Sequence, residues 1–473
     1  MTMKILLLNP PSKNTLQGSN PDIIDEERGY NPSLGMLYIA ASIREYAKDH
    51  ELIILDSQVE ELSYKELHDK IEKIQPDLVG MTVMTFTMKD VLKTSKMIKE
   101  INSKITIVFG GPHVNLYPNE TIKFSHVDFL VMGEGERSFV DLVNNINNKK
   151  EIKKIKGLVY KDGNKIIHTP MMSLIKNLDS LPIPARDLTL YKKYGSLLAK
   201  RFPVTTMFTS RGCPYKSYFC DRPHLGSQFR FRSAKSVFKE FKEIARLGIQ
   251  EVLVYDDTFT INRQRVVDIC KLLIKAKLNI TWDIRARVNT VDWELLKLLK
   301  KAGCERIHFG VESGNERILK VLRKGITKPQ VRKAFALARK AGISTLGYFM
   351  IGSPTETKST IMQTINFAKN LKCDFAHFTI TTPYPGTQMY KDALSNGAIK
   401  EDVWRKFAED PNYKFKDPIW NENFSREELS EFVKLAYKSF YSRPLYILER
   451  LLKIRTFYEF KTKLKAGIKV LSL

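Results

Sequence analysis

Two thiols stand seven positions apart in Arg211-Gly212-Cys213-Pro214-Tyr215-Lys216-Ser217-Tyr218-Phe219-Cys220. Thiolate is a soft donor that suits iron, and thiolates closely spaced on one loop can wrap a face of an iron–sulfur cubane. By themselves Cys213 and Cys220 read as two small buried core residues. Their setting bears on the choice. Downstream come, in order, Asp256-Asp257-Thr258-Phe259, Arg285 and Arg287, Gly310-Val311-Glu312-Ser313-Gly314, Gly347-Tyr348-Phe349-Met350-Ile351-Gly352-Ser353-Pro354 and Thr381-Thr382-Pro383-Tyr384-Pro385-Gly386-Thr387. Each has a plain structural reading, with Asp256 and Asp257 as helix caps and Glu312 as a salt-bridge partner. Each also closes a predicted strand, where α/β domains gather their chemistry.

The elements that must position these groups are legible from hydrophobic periodicity. The first 150 residues alternate short apolar runs with helical patterns, 5–8 before 34–46, 52–55 before 64–73, and so on to 129–132 before 136–146. That rhythm predicts βαβ units on a doubly wound, Rossmann-like parallel sheet over 1–150. Ligands of such sheets sit beyond the strand carboxyl ends, here Asn9-Pro10-Pro11, Asp56, 82–87, Gly110-Gly111-Pro112-His113 and Gly133-Glu134-Gly135-Glu136. The glycines permit close backbone approach. No Gly-x-Gly-x-x-Gly follows the first strand, which argues against a nicotinamide dinucleotide site. Residues 151–195 read as a hairpin turning at Asp162-Gly163 and a proline-punctuated linker. Six further strands are predicted at 204–209, 251–255, 280–284, 306–311, 345–351 and 376–381, with Ser233, Asn262, Thr327 and Thr357 capping helices between them. Six β/α units make a partial, TIM-like (β/α)6 barrel over 196–400, followed by a basic helical extension over 401–473.

A net charge of +25 favours acidic partners, although much of it is dispersed lysine on helix faces. With no appended RNA-binding module and no basic–aromatic stripe, nucleic acid is the least favoured of these. From 441 to 473, eight Lys/Arg against two Glu interleave with Leu445, Ile447, Leu448, Leu451 and Leu452. Such a segment reads either as a membrane-surface helix or as a terminal helix docked on its own domain. Five scattered cysteines argue against a disulfide framework and for a reducing, cytoplasmic setting. No run approaches the eighteen or so apolar residues of a membrane span, and the first apolar run, soon broken by Pro10-Pro11, is too short for a signal peptide.

Together the motifs from about 204 to 390 resemble the radical S-adenosylmethionine (SAM) superfamily, whose cluster loop is Cys-x3-Cys-x2-Cys. Cys213 and Cys220 match its first and third ligand positions, and Ser217 stands at the middle one. The resemblance implies that Cys213 and Cys220 are catalytic cluster ligands and that a [4Fe-4S] cluster leaves one iron open to SAM. It also implies SAM contacts from Phe219, Asp256, Asp257, Arg285, Glu312, Ser313, Ile351, Gly352 and Thr381. The N-terminal motifs resemble the cobalamin-binding domain that precedes the barrel in one branch, the class B methyltransferase type. There Asn9, Pro10, Thr82, Thr85, Gly110, Gly111, Pro112, Gly133, Glu134, Gly135 and Glu136 are the implied cobalamin contacts. The Asp-x-His-x-x-Gly motif of cobalamin mutases is absent, so cobalamin would bind without that axial histidine, and His113 reads as a loop hydrogen-bonder.

The branch implies an enzyme in which reduced cluster cleaves SAM to a 5′-deoxyadenosyl radical and cobalamin delivers a methyl group to an unactivated carbon. A lipid-like or natural-product substrate and a ferredoxin or flavodoxin electron donor are expected, with peripheral membrane contact through the tail. Ser217 leaves three readings open. An alcohol ionises far less readily than a thiol and is a harder donor. The serine could ligate weakly, could mark a non-catalytic or impaired cobalamin- and SAM-binding relative, or could be a local change in an active enzyme. Cys270, Cys304 and Cys373 read as small core residues rather than replacement ligands.

Overall fold

Lys-Ile-Leu-Leu-Leu-Asn forms strand β1 (Lys4–Asn9), with its four central residues buried, as the middle of a two-faced parallel sheet requires. The computed structural model describes residues 2–16, 29–47, 49–196, 198–221, 226–420 and 422–452. Beside β1 lie β2 (Glu51–Asp56), β3 (Leu78–Thr82), β4 (Thr106–Gly110) and β5 (Phe129–Val131), all parallel, in the order β2-β1-β3-β4-β5. Helices Leu34–Tyr46 and Gly135–Asn145 pack on one face through Ala40, Ile43, Phe139 and Val140. Helices Tyr64–Ile74 and Met88–Ile101 pack on the other through Leu67, Ile71, Val91 and Ile98. The sheet is therefore doubly wound, as the periodicity predicts.

The hairpin of β6 (Leu158–Asp162) and β7 (Lys165–His168) adds to this sheet antiparallel to β5, carrying it past residue 150. Asp162 pairs with Lys165, so the turn residues are Gly163, at φ 61°, and Asn164. The turn falls one position later than Asp162-Gly163. A glycine with positive φ at the first turn position suits a tight hairpin.

The second sheet is wholly parallel and open, in the order β15-β14-β13-β12-β11-β8. Its strands are β8 (Val204–Met207), β11 (Glu251–Val254), β12 (Thr281–Ala286), β13 (Cys304–Glu312), β14 (Ser344–Ile351) and β15 (Phe375–Ile380). Ser233, Asn262, Thr327 and Thr357 each accept a backbone N–H of the helix they begin, as expected. Alternate residues, among them Trp282, Ile284, Phe309 and Phe349, meet the helices. The opposite parity carries Glu251, Asp283, Arg306 and His308, which satisfy one another: Arg306 Nη2 donates to Asp283 Oδ2 at 2.7 Å, and His308 Nδ1 lies 2.9 Å from Tyr348 Oη.

Between β8 and β11, strands β9 (Ser210–Arg211) and β10 (Arg230–Phe231) form a two-residue antiparallel ribbon that closes the base of the cysteine loop. The C-terminal extension turns back on both domains. Helix Val403–Glu409 inserts Phe407 into the N-terminal core, and Arg405 pairs with Glu120. Helix Pro444–Leu452 is held to the barrel edge by Arg443 on Lys369 O (2.7 Å), Tyr446 on Asp374 O (2.8 Å) and Arg450 on the Asp374 carboxylate. Its other face leaves Leu445 78% and Leu452 71% exposed. Among the described residues no helix is long and apolar enough to cross a membrane. The part of the expected tail from 453 onward lies outside the described residues.

Glu240, fully buried, binds two guanidinium groups, Arg186 from the linker at 2.5 Å and Arg232 from beyond β10. Burial by itself would raise its carboxyl pKa, but Arg232 and Arg186 outweigh that and hold it below the usual range. A carboxylate depressed on folding stabilises fully above its unfolded pKa, near 4.5, and loses that contribution as pH falls through the folded value. Glu240→Ala leaves two buried cations uncompensated and is expected to cost about 3–5 kcal/mol in urea denaturation at neutral pH. The difference from the parent protein should shrink as pH falls below about 4.5.

Candidate functional site

The cysteine loop leaves β9 at Gly212, whose φ of 81° turns the chain outward. Cys213 is half-buried, Ser217 is half-buried and Cys220 is exposed. The middle of the loop is anchored by Tyr218, whose N–H donates to Leu322 O (3.0 Å), whose carbonyl accepts Met389 N–H (3.1 Å) and whose hydroxyl donates to Asp392 (2.8 Å). Ser217 O accepts Cys220 N–H at 3.2 Å, folding the loop back on itself. Tyr215 lies under the Arg287 guanidinium at 3.8 Å. Two accessible thiols and a hydroxyl thus share one tethered loop. The other three cysteines are buried, and burial pushes the Cys270 and Cys373 thiols up to about 12 and Cys304 well above the ordinary value. They are small core residues, as expected.

The strand ends converge beside this loop. At the end of β13 the register slips between Gly310 and Glu312, and Glu312 takes a left-handed φ of 69°. Its carboxylate accepts Lys324 Nζ at 2.6 Å, and that ammonium stands 5.7 Å from the Phe219 ring centroid. A Cβ on Gly310 would lie 2.5 Å from Glu312 Oε1 and 2.6 Å from Lys324 Nζ, so a larger residue there would shift the ends of this pair. Arg285 donates to Val254 O at 3.2 Å and lies 4.1 Å from the Tyr255 ring centroid. Gly352 has φ 82° after β14, with its N–H and that of Ser353 donated to the buried carboxylate of Glu356 at 2.7 and 2.9 Å.

Several expected SAM contacts have their polar groups occupied within the protein. Asp256 accepts the backbone and hydroxyl groups of both Thr209 and Ser210, at 2.5–3.0 Å, and lies 3.7 Å from Arg265. It fixes the backbone at the start of β9, and its neighbour Asp257 is exposed. Ser313 Oγ bonds Thr364 and Asn315, Thr381 Oγ1 bonds Ser353 Oγ, and Ile351 packs in the core behind the sheet. With the loop, the strand ends that carry Asp257, Arg285, Glu312 and Gly352 make up the mouth of the barrel, where Arg285, Glu312 and Gly352 also have partners within the protein.

At the N-terminal sheet, a cavity of about 210 Å³ lies beyond β3, β4 and β5 and is lined by Gly35, Gly80, Thr82, Gly110, Gly111, Pro112, Gly133 and Gly135. Gly111 at φ 98° has Thr82 and Val83 within 3.0 Å of where a Cβ would stand, so its backbone faces the cavity only as glycine. This glycine floor suits close approach by a flat ligand. Among the described residues no histidine lines the cavity. His113 is buried, with Nδ1 2.9 Å from Thr85 Oγ1, and burial drives its pKa down to about 4. It is the loop hydrogen-bonder that was expected, and Thr85 is its partner. Asn9 Nδ2 donates to Asp56 at 2.8 Å, which holds Pro10 in a buried bend.

Glu134 and Glu136 line the cavity and also have partners that the sequence did not announce. Arg211 donates to Glu134 at 2.9 Å and to Glu136 at 2.5 Å, and Arg230 donates to both oxygens of Glu134 at 2.9 Å. These carboxylates bind the β9–β10 ribbon of the barrel because two buried cations need them, and they wall the cavity rather than offering an open acceptor. Arg211, Arg230, Lys324 and Glu356 are the site residues that sequence reasoning missed. Arg211 beside the Gly-Cys pair was the one with a visible signal.

A radical SAM superfamily model matches residues 207–368, and a B12 binding domain model matches residues 22–143. The chain is 37% identical to an uncharacterized methyltransferase of Pyrococcus horikoshii over 94% of each chain. The chain belongs to the cobalamin-binding branch of the radical SAM superfamily. It is 28% identical to an anaerobic magnesium-protoporphyrin IX monomethyl ester cyclase of Cereibacter sphaeroides, covering 88% of this chain and 68% of that one. The fold is that of the radical SAM methyltransferase TsrM from Kitasatospora setae, solved with cobalamin and [4Fe-4S] cluster, at TM-score 0.68, 18% identity, and 84% and 76% coverage. As a member of this branch the chain is an enzyme of the radical SAM methyltransferase type. Its own residues fit the cofactors in kind: glycine backbone floors the cavity of the B12-binding domain, and the anchored loop carries two accessible thiols and a hydroxyl.

Burial pushes the Glu356 carboxyl up to about 7, against the two backbone N–H bonds that favour its charge. A carboxyl raised on folding contributes its stability in full below its unfolded pKa, near 4.5, and loses it as pH rises through about 7. Stability should therefore fall between pH 4.5 and pH 7. Glu356→Gln, which fixes a neutral side chain, is expected to flatten that limb and gain about 3 kcal/mol at pH 8, read from urea midpoints. A flat parental profile would contradict this.

Proposed function

We propose that this enzyme methylates an unactivated carbon of a lipid-like substrate, with Ser217 as a weak third position on a cluster that still assembles. When bound, the cluster, SAM and cobalamin supply the electron, the hydrogen-abstracting radical and the methyl carrier. The observation that supports the reading is that the cysteine loop joins two sites: Lys324 of the Glu312–Lys324 pair stands 5.7 Å from the Phe219 ring on the loop, and Arg211, two residues before Cys213, lines the glycine-floored cavity. Cys213 and Cys220 would hold two irons, and the Ser217 hydroxyl would stand at the third. Phe219 and the Glu312–Lys324 pair form one wall for SAM, Gly352 offers a backbone without a side chain, and Arg285 and Asp257 complement its carboxylate and amine. The strongly basic chain suits an acidic electron carrier of ferredoxin or flavodoxin type.

Anaerobic reconstitution with iron and sulfide tests the cluster. The expected outcome is about four irons per chain, with deoxyadenosine formed from SAM under dithionite. Ser217→Cys should retain iron longer against a chelator. The rival, a SAM- and cobalamin-binding protein without radical chemistry, rests on the serine itself. It predicts no iron in the parent chain, with binding restored only by Ser217→Cys.

The substrate class rests on helix Pro444–Leu452, where leucines face outward while Arg443, Tyr446 and Arg450 fasten the opposite face to the barrel. Co-sedimentation with vesicles of phosphatidylcholine and phosphatidylglycerol should pull down the parent protein. The triple variant Leu445→Ser, Leu448→Ser, Leu452→Ser should stay in the supernatant. Equal behaviour of the two proteins would remove the membrane argument.

A further inference from the structure

We propose that Arg211 is a positioning residue that couples cobalamin occupancy to the cysteine loop, so that each cofactor alters the affinity of the chain for the other. The proposal rests on the functional reading above. Arg211 lies in β9, two residues before Cys213, and is only 6% exposed. Its fork joins the two carboxylates of the Gly133-Glu134-Gly135-Glu136 segment, Nη1 to Glu134 and Nη2 to Glu136, while its guanidinium stands 5.0 Å from the Tyr38 ring centroid. Arg211, Tyr38, Glu134 and Glu136 all line the cavity. One side chain thus touches the cobalamin cavity, and its backbone leads straight into the first cluster ligand.

The two ends of Glu134–Glu136 are tethered differently. Glu134 is pinned by Arg230, which also donates to Ile175 O at 2.7 Å, and by Ile175 N–H at 2.6 Å. Glu136 stands at the start of helix Gly135–Asn145 and reaches the barrel through Arg211. A ligand in the cavity must press on this pair or settle against it. Either way it biases the placement of the guanidinium, and only Gly212 separates Arg211 from Cys213 in the chain. Reciprocity follows from thermodynamics: a cluster that fixes Cys213 fixes Arg211, and so shapes the cavity wall. A clamp that only joined two domains would set the stability of both but would not make one binding constant depend on the other.

The test uses the full-length protein under anaerobic conditions. Hydroxocobalamin is titrated by its visible absorbance into iron-free protein and into protein reconstituted with iron and sulfide. The two affinities are expected to differ by about fivefold or more in the parent chain. In Arg211→Met and in Glu136→Gln the ratio should collapse to one, with both cofactors still bound. Arg211→Lys keeps the charge but loses the fork, and guards against misfolding of the methionine variant; its ratio should fall between. Arg405→Met breaks a different pair between the two domains, with Glu120, and should keep the parental ratio. A parental ratio of one, or a ratio that survives in Arg211→Met and Glu136→Gln, overturns the coupling while leaving the enzyme reading intact. A parent chain that takes up no iron overturns the enzyme reading, and the coupling with it.

Discussion

Buried guanidinium groups hold this molecule together at its middle, and each requires a carboxylate from another element. Arg211 and Arg230 meet Glu134 and Glu136, Arg186 and Arg232 meet Glu240, and Arg265 lies beside Asp256. An unpaired charge in such a place costs several kcal/mol, so each arginine dictates where the opposing segment must lie. The segment from Thr209 to Arg232 is gripped on both sides of the cysteine loop by these pairs. The loop hangs from a rigid frame rather than from a flexible connection.

That frame explains how two α/β domains present one site. The strand carboxyl ends of the first sheet carry glycines whose backbone floors a cavity, and those of the second carry the mouth beside the cysteines. The ribbon of β9 and β10 is the seam between them, with Tyr38 and Phe208 on the cavity wall beside Arg211. The C-terminal extension closes the arrangement by inserting Phe407 into the N-terminal core. Each half supplies part of the site, and neither supplies it all.

Much of this was legible from residue spacing. The apolar rhythm gave both sheets and their parallel sense, and the four helix caps follow from local chemistry that needs no partner elsewhere. The two half-exposed or exposed loop cysteines and the three buried ones also separate as their sequence contexts suggest. The internal partners that were not legible share a cause. Asp256, Ser313, Thr381, Glu134 and Glu136 are polar residues at strand ends, and nothing local distinguishes one facing a ligand from one that satisfies the protein's own buried donors. Lys324 was invisible because its partner, Glu312, is on a different element and the pair lies over the open side of Gly310.

The sequence by itself determined the elements, their order, the placement of thiols and glycines at strand ends, and membership in a cobalamin-binding radical SAM branch. The elements, their order and the placements follow from periodicity and turn chemistry, properties of neighbouring residues, and the branch follows from the resemblance of the motifs to a known family. Only the tertiary structure decided which charged groups remain for ligands, that the hairpin extends the first sheet, and that Arg211 bridges the cavity to the loop. Those outcomes depend on desolvation: a buried charge must find its opposite wherever the fold brings one, however distant in the chain.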